Sequence, residues 1–369
     1  MQEVSFAQSK ARGTKMKAFK KIGILTSGGD APGMNATIRA VTRAALNHGV
    51  EVMGIYKGYS GLIHKEIAPL ALRDVSNMMN HGGTVLYSAR CPEFKTEEGM
   101  AKAIASCREF GIDGIIAIGG DGTFRGATDL SVRGMPCIGL PGTIDNDITA
   151  TDHTIGFDTA MNTTLELIDR LRDTCESHAR CNVVEVMGRN AGDIAAFTAL
   201  ASGATAVVLP EVAFDEEKLL TKIRVSRALG KRNFIVVVSE GMGSDFAPSL
   251  TERIKEGTGV DCRFARFAHV VRGGIPSLRD RYLGTAMGEY AVECLLEGKS
   301  NIVICERENK LVDTDISFAL IVDRMYKGSL KDGDLDAFSP EQIKEMEALC
   351  AEKKARIAQI CMSVDKLGL

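Results

Sequence analysis

The chain has 369 residues, 45% of them hydrophobic, enough to bury a sizeable core and to suggest about two domains of ordinary size rather than one small module. Its net charge of −3 argues against a nucleic-acid surface but leaves room for local arginine clusters that hold a small anion. The ten cysteines show no Cys-x-x-Cys pair or zinc-finger spacing, no apolar run approaches a membrane helix, and the polar start lacks a signal peptide's apolar core, so the expectation is a soluble, cytoplasmic protein with reduced thiols.

Residues 1–17 have little apolar periodicity and are expected to form a flexible extension outside the fold. Lys20–Leu25 then reads as a strand that runs into the glycine turn Thr26–Asn35, followed by a helical pattern from Ala36 to Asn47. Such a turn lets backbone N–H groups and a positive helix end approach a phosphate. Val50–Tyr56 predicts the next strand. Lys57–Leu62 reads as a tight loop presenting Tyr59, which suits base stacking or, more commonly for a single tyrosine, the cover of a hydrophobic edge.

A helix over 97–110 feeds the strand Gly114–Ile118, whose unbroken apolar run fits a parallel strand covered on both faces. At its carboxyl end stands a second glycine-aspartate turn, Gly119-Gly120-Asp121-Gly122-Thr123. A bare aspartate there suits Mg²⁺, which is commonly held by one or two carboxylates together with substrate phosphates. Neither turn carries the Rossmann Gly-x-Gly-x-x-Gly or the Walker pattern, which lowers the dehydrogenase and P-loop readings.

The strand Met135–Gly139 leads to Gly139-Leu-Pro-Gly-Thr-Ile-Asp-Asn-Asp147, where Asp145 and Asp147 share one face of an extended chain and can divide acid and base roles. Helix 159–172, strand Cys181–Val186 ending in Met187-Gly188-Arg189, and a helix to Ala201 continue the alternation. Strands at Ala206–Leu209, Phe234–Ser239 and Phe264–Val271 complete it, the last two closed by Glu240 and by His269 with Arg272. The alternation argues for a doubly wound, mostly parallel α/β protein. From Ser339, a plausible N-cap before Pro340, a charged helix carries Ile343, Met346, Leu349, Ile357 and Ile360 at helical spacing. That stripe reads as a packing or oligomer-contact element without catalytic chemistry.

Two phosphate-accommodating turns, a candidate Mg²⁺ aspartate, a paired-carboxylate loop and sheet-edge arginines together describe phosphoryl transfer from a nucleotide to a hydroxyl. Five motifs in order carry a specific likeness: Thr-Ser-Gly-Gly-Asp-Ala-Pro-Gly-Met-Asn at 26–35, Gly-Gly-Asp-Gly at 119–122, Pro-Gly-Thr-Ile-Asp-Asn-Asp at 141–147, Met-Gly-Arg at 187–189 and Arg-Gly-Gly at 272–274. From about Lys20 to Gly328 the chain closely resembles the bacterial-type 6-phosphofructokinases.

The resemblance implies two doubly wound, Rossmann-like three-layer domains with mostly parallel sheets and the active site in the cleft between them. Residues 18–156 plus 271–321 would form the larger, ATP-binding domain, 157–270 plus 322–338 the smaller, fructose 6-phosphate-binding domain, and 339–369 a C-terminal helical extension. It further implies Asp145 as the base on the sugar 1-hydroxyl, Thr143 and Arg189 steadying the transferring phosphoryl, and Asp147 holding the metal network and the base. ATP would lie on Gly29, Arg90, Cys91, Gly120, Asp121, Gly122 and Thr123, with Asp121 on Mg²⁺. The sugar site would use Thr143, Asp145, Met187, Gly188, Arg189, Glu240, His269 and Arg272. Arg180 and Arg263 would come from a neighbouring subunit of a homotetramer.

Glycine at both 122 and 142, where pyrophosphate-using relatives carry Asp and Lys, points to ATP as donor. A pyrophosphate-dependent enzyme, a non-catalytic sugar-phosphate sensor and a nicotinamide oxidoreductase are the alternatives; the sensor would be expected to lose Asp121 or Asp145, and the oxidoreductase needs the missing fingerprint. Arg39, Arg43, Arg172, Lys231 and Arg232 match an allosteric site for ADP or phosphoenolpyruvate. Leu72, Thr205 and Leu229 stand there in place of charged residues, so the expectation is a weakened or re-specialised effector response.

Overall fold

The computed structural model describes residues 19–368; the expected extension at 1–17 and the final residue lie outside them. The chain folds in the order β1 (Lys21–Thr26), α1 (Met34–Asn47), β2 (Glu51–Ile55), α2 (Tyr59–His64), β3 (Ile67–Pro69), α3 (Glu97–Glu109), β4 (Gly114–Gly119), α4 (Asp121–Ser131) and β5 (Cys137–Pro141). It continues with α5 (Phe157–His178), β6 (Cys181–Val186), α6 (Asp193–Ala201), β7 (Ala206–Val208), α7 (Glu216–Ala228), β8 (Phe234–Ser239), α8 (Phe246–Thr258) and β9 (Cys262–Arg266). It closes with α9 (Leu278–Leu296), β10 (Ile302–Arg307), β11 (Lys310–Asp315), α10 (Ile316–Tyr326) and α11 (Pro340–Leu367).

Two sheets result. The larger has the order β11-β10-β5-β4-β1-β2-β3, parallel except for its edge strands β3 and β11, and the smaller has the order β7-β8-β6-β9, parallel throughout. The interior strands β4, β5, β6 and β8 are buried at every residue, which is why their sequences are continuous apolar runs: helices cover both faces, so no position faces water. In the larger sheet β1 and β2 run outward one way while β4 and β5 run the other. The order therefore reverses between β1 and β4, the kind of switch point where open α/β sheets form a ligand crevice at their carboxyl ends.

Two expectations need correction. Tyr59 is not on an exposed loop: it is the first residue of α2, buried, stacked on Phe94 with ring centroids 4.1 Å apart, and its hydroxyl donates to the Thr123 carbonyl at 2.6 Å. It covers a hydrophobic edge and presents no face to a base. The strand expected over Phe264–Val271 stops at Arg266; Ala268 adopts φ +46°, and Ala268–Arg272 form a 3₁₀ turn that carries His269 and Arg272. The hairpin β10–β11 was not legible, because its two-residue turn uses Glu308 and Asn309 at φ +50° and +60° rather than the Asn-Gly or Asp-Gly that signals such a turn.

Helix α11 starts where expected, with Ser339 and Gln342 forming a reciprocal capping box and Pro340 inside the first turn. Its buried stripe is Met346, Cys350, Lys353, Ile357, Ile360 and Val364, spaced alternately by four and three; Ile343 and Leu349 are only half-buried. Met346 and Cys350 pack with Phe318, Ile321 and Val322 of α10, whereas Ile357, Ile360 and Val364 join the core that contains Ile194 and Ala195 of α6. The far end is tied to the α7 region: Lys222 donates to the Asp365 carbonyl at 2.6 Å, Lys218 pairs with the Asp365 carboxylate at 2.7 Å, and Lys231 donates to the Gly368 carbonyl at 2.8 Å.

Candidate active site

The two glycine turns lie side by side because β1 and β4 are adjacent parallel strands. Thr123 braces them, its hydroxyl donating to the Ser27 carbonyl at 3.1 Å, so this side chain holds the turns together rather than presenting a free donor. Glycine at 119 is required by close approach: a Cβ there would sit 2.3 Å from both the Ser27 carbonyl and the Thr123 hydroxyl. At Gly120 and Gly122, by contrast, a Cβ would meet open space. Helices α1 and α4 start at Gly33 and Gly120 with no side-chain cap, as do α2, α5, α6 and α8, whereas α3, α7, α9, α10 and α11 are capped by Thr96, Asp215, Ser277, Asp315 and Ser339. The two helices at the crevice thus keep first-turn N–H groups for an anion.

Asp121 is the first residue of α4 and is held by Arg125, which bonds both its carboxylate oxygens at 3.2 and 2.7 Å. Among the described residues no three His, Cys, Asp or Glu side chains cluster as a metal cage. One carboxylate beside an uncapped helix start fits a Mg²⁺ ion whose other ligands are phosphate oxygens and water, and would not fit a metal held by protein alone. Arg90 is exposed on the segment before Cys91, which is half-buried.

After β5 the chain turns sharply. The Thr154 hydroxyl donates to the Thr143 carbonyl at 2.6 Å, the Asp145 N–H donates to the Thr143 hydroxyl at 3.2 Å, and Asn146 sits in the left-handed region at φ +52°. Asn146 is wholly buried: its amide donates to the Asp152 carbonyl at 3.2 Å and to Asp193 at 3.0 Å, and its side-chain oxygen accepts from the Thr154 N–H at 3.0 Å. Gly142 is tightly enclosed, since a Cβ would lie 2.8 Å from Ile118 and 3.0 Å from Met34. Its missing side chain therefore serves packing beneath the loop.

Asp145 is 3% exposed, and its Oδ1 is buried without a hydrogen-bond partner. Its Oδ2 lies 3.4 Å from Nε of Arg189. The carboxyl is pushed up to about 6, first by burial and then by the neighbouring Asp147 charge, with Glu240 adding and Arg189 and Arg272 opposing. Asp147 faces Lys327 at the end of α10, 3.7 Å from its Nζ.

Arg189 enters from the other sheet, at the carboxyl end of β6. It too has positive φ, +53°, after Gly188 at +143°, and this turn is held by Glu240, whose Oε1 accepts from the Gly188 and Arg189 N–H groups at 3.1 and 2.7 Å. Glu240 is thus partly committed to the backbone. Met187 is buried beneath the turn. Arg272 packs its guanidinium 3.5 Å from where a Gly29 Cβ would lie, so it spans the first glycine turn and the Asp145 region; His269 is exposed on the same 3₁₀ turn.

Two groups of expected residues are not brought to this place. Arg180 and Arg263 share Asp261, at 2.7 and 3.3 Å, and sit at the amino end of β6 and β9. Six residues of strand, about 20 Å, separate that end from Arg189. Of the expected effector residues, Arg39 and Arg43 line a groove of about 600 Å³ with Leu72, while Lys231 and Arg232 line another of about 310 Å³. Arg172 lines neither, bonding instead to Asn233 at 3.1 Å and to the Ser202 carbonyl.

Lys353, Asp193, Lys327 and Arg125 were not among the residues expected from sequence. Lys353 carried a readable signal, a charge at a position where the α11 stripe calls for an apolar residue.

A family model described as Phosphofructokinase matches residues 21–295. The chain is 52% identical over 298 residues to an ATP-dependent 6-phosphofructokinase of Bacillus pumilus, covering 81% of this chain and 93% of that protein. It is 50% identical over 312 residues to ATP-dependent 6-phosphofructokinase 1 of Clostridium perfringens, covering 85% and 97%. Among solved structures, phosphofructokinase from Saccharomyces cerevisiae superposes with a TM-score of 0.80 at 32% identity, covering 89% of this chain and 50% of that longer one. A pyrophosphate-dependent phosphofructokinase from Marinobacter aquaeolei is more distant, with a TM-score of 0.71 at 25% identity, covering 81% and 83%.

The raised Asp145 carboxyl has a consequence for stability. A carboxyl whose pKa is higher in the folded state than in the unfolded chain keeps its proton longer when folded, so its ionisation removes stability as pH rises from about 4 to about 6. Asp145→Asn abolishes that buried charge. Thermal melts are expected to show the variant a few degrees more stable than the parent above pH ~7, with the gain gone near pH ~4; a gain of equal size at both pH values would contradict the assignment.

Proposed function

The chain belongs to the phosphofructokinase family and is an ATP-dependent kinase of fructose 6-phosphate, acting in glycolysis; we propose that Asp145 is its catalytic base and that the crevice between β1, β4 and the loop after β5 is where the reaction occurs. The observation that carries this reading is the buried Asp145 carboxylate, raised to about 6, with one oxygen unpartnered and the other beside Arg189. Near neutral pH such a group is ionised and remains basic enough to take a proton from a hydroxyl. As the sugar 1-hydroxyl oxygen bonds to the γ-phosphorus of ATP, the bond from that phosphorus to the bridging oxygen breaks. ADP leaves, and the hydroxyl proton passes to Asp145.

The other roles follow from placement. Arg189, exposed and on a turn held by Glu240, is free to leave Asp145 and neutralise the transferring phosphoryl, with Thr143 beside it. Asp147 raises Asp145 and is itself positioned by Lys327. The open approach at Gly120 and Gly122 and the uncapped start of α4 suit the nucleotide phosphates, flanked by Gly29, Arg90 and Cys91. Asp121 would hold Mg²⁺, which neutralises phosphate charge when bound, once it is released from Arg125.

Met187, Gly188, Glu240, His269 and Arg272 would form the sugar side of the crevice. The residues around the larger sheet, 18–156 plus 271–321, would be the nucleotide domain, and 157–270 plus 322–338 the sugar domain. Arg180 and Arg263, about 20 Å from their own chain's Arg189, would serve a neighbouring subunit of a homotetramer. No described helix is long and apolar enough to cross a membrane, and we place the enzyme in the cytoplasm. Leu72 lines the groove of Arg39 and Arg43 where a charged residue is expected, which supports a weakened response to ADP or phosphoenolpyruvate.

Asp145→Asn is expected to lower kcat by about 10²–10⁴-fold while both substrates still bind, measured by initial rates and calorimetry; unchanged turnover would reject the base assignment. Arg263→Ala alone should raise KM for fructose 6-phosphate. Co-refolding inactive Asp145→Asn with Arg263→Ala should restore part of the activity, because some mixed sites then combine an intact Asp145 with an intact Arg263. No recovery in verified mixed oligomers would place Arg263 outside the neighbour's site. Fructose 6-phosphate saturation curves should move little with millimolar ADP or phosphoenolpyruvate, and a strong shift of either curve overturns the effector reading.

A further inference from the structure

Lys353 is the one charged residue in the buried stripe of α11, and its side chain is 5% exposed. A lysine in that position needs partners for its charge and its donors. Its Nζ lies 2.6 Å from the Asn146 carbonyl oxygen, 3.5 Å from Oδ2 of Asp193, and 5.3 Å from the centroid of the Tyr326 ring. Asn146 stands between Asp145 and Asp147. Its side-chain amide donates to the other oxygen of Asp193, so Asp193 and Lys353 grip the same residue, one through the side chain and one through the backbone.

We propose that Lys353 is a positioning residue for phosphoryl transfer: its ammonium holds the carbonyl of the peptide between Asn146 and Asp147, and so fixes the loop that aims Asp145. Asn146 is left-handed and fully buried, so its carbonyl has no water to turn to, and its ψ decides the relative direction of the two carboxylates. The side-chain bonds of Asn146 to Asp152, Asp193 and Thr154 anchor the residue but leave the following peptide plane to be set by Lys353. The helix that brings Lys353 lies beyond the residues matched by the family model, so a segment outside the matched domain holds a group next to its reacting carboxylate. The charged groups that face Asp145 are Asp147, Arg189, Arg272 and Glu240. A loop that relaxes moves Asp145 away from Asp147 and towards water.

This inference rests on Asp145 being the base, and the experiment keeps the two apart. Lys353→Met preserves length and apolar bulk while removing the donor. It is expected to lower kcat by about 10- to 100-fold, as a displacement of the reacting groups by about 1 Å does, with KM for ATP unchanged within about threefold. The acid limb of kcat/KM against pH should move down from its parental midpoint.

Because Lys353→Met alone leaves Asp193 buried without its counter-charge and can fail to fold, the deciding variant is Lys353→Met with Asp193→Asn. There the amide oxygen introduced at position 193 can still accept from Asn146, the buried charge and its counter-charge are removed together, and the bond to the Asn146 carbonyl is lost. A folded double variant, shown by thermal melting and an unaltered oligomer size, with low kcat and a shifted acid limb supports the proposal. Parental kcat and pH profile in the double variant, or in a folded single variant, would mean that Lys353 merely balances Asp193, and the proposal fails. Asp145→Asn measured alongside separates the cases: if it retains turnover, the base assignment itself is wrong, whereas if it is inactive and the double variant is not, only the inference is lost.

Discussion

A carboxylate kept out of water with one oxygen unpartnered is costly to bury, and the rest of the active-site architecture works to hold Asp145 in that condition. It follows β5, an interior strand hydrogen-bonded to β4 on one side and β10 on the other, so the end of that strand cannot fray to relieve the charge. The loop then doubles back through Thr154 onto the Thr143 carbonyl and through Ile155 onto Pro141. The two largest influences that oppose ionisation, burial and Asp147, are built into the larger sheet and its loop, with Glu240 after β8 of the smaller sheet adding to them. What favours it, Arg189 and Arg272, comes from a flexible side chain on the other sheet and from a 3₁₀ turn. The attracting charges are thus the ones best able to move when phosphates arrive.

Two of the chain's left-handed non-glycine residues lie at the same place. Asn146 and Arg189, on opposite walls, both adopt left-handed backbone that costs a non-glycine residue on the order of 1 kcal/mol. Each is held by charge-assisted bonds to backbone, Lys353 to the Asn146 carbonyl and Glu240 to the Gly188 and Arg189 N–H groups. Each sets the direction of the backbone beside a side chain that the proposed function gives a part in the reaction.

The parts of this fold that sequence made legible are those where one physical rule acts alone. Cys181–Val186 and Phe234–Ser239 are strands over those residues, because burial on both faces leaves only an apolar run. The two glycine turns fall between strand and helix as their pattern implies, at the carboxyl ends of the adjacent strands β1 and β4. Competing rules hid the rest. Tyr59 lies among loop-forming glycines, but the contact with Phe94 and the bond to Thr123 draw it inside. The amphipathic pattern of α11 was read through Ile343 and Leu349 because the true stripe passes through a lysine, and an apolar template skips a charge whose partners are more than a hundred residues away.

That skipped residue changes what the last helix does. A helix packed only by Met346, Cys350, Ile357, Ile360 and Val364 would add stability and nothing else, and apolar residues in place of both Lys353 and its buried partner Asp193 would often pack as well. On the proposed reading the bonds of the buried ammonium specify something that packing cannot, the direction of a backbone carbonyl in the loop that carries Asp145. Because α11 is tied to α10 at its start and to α7 at its end, the aim of Asp145 becomes a property of how those elements dock. Any shift of α11 along its axis by one turn, about 5.4 Å, would carry the ammonium out of reach of both Asn146 and Asp193. Loop geometry and helix docking are therefore one constraint in this chain.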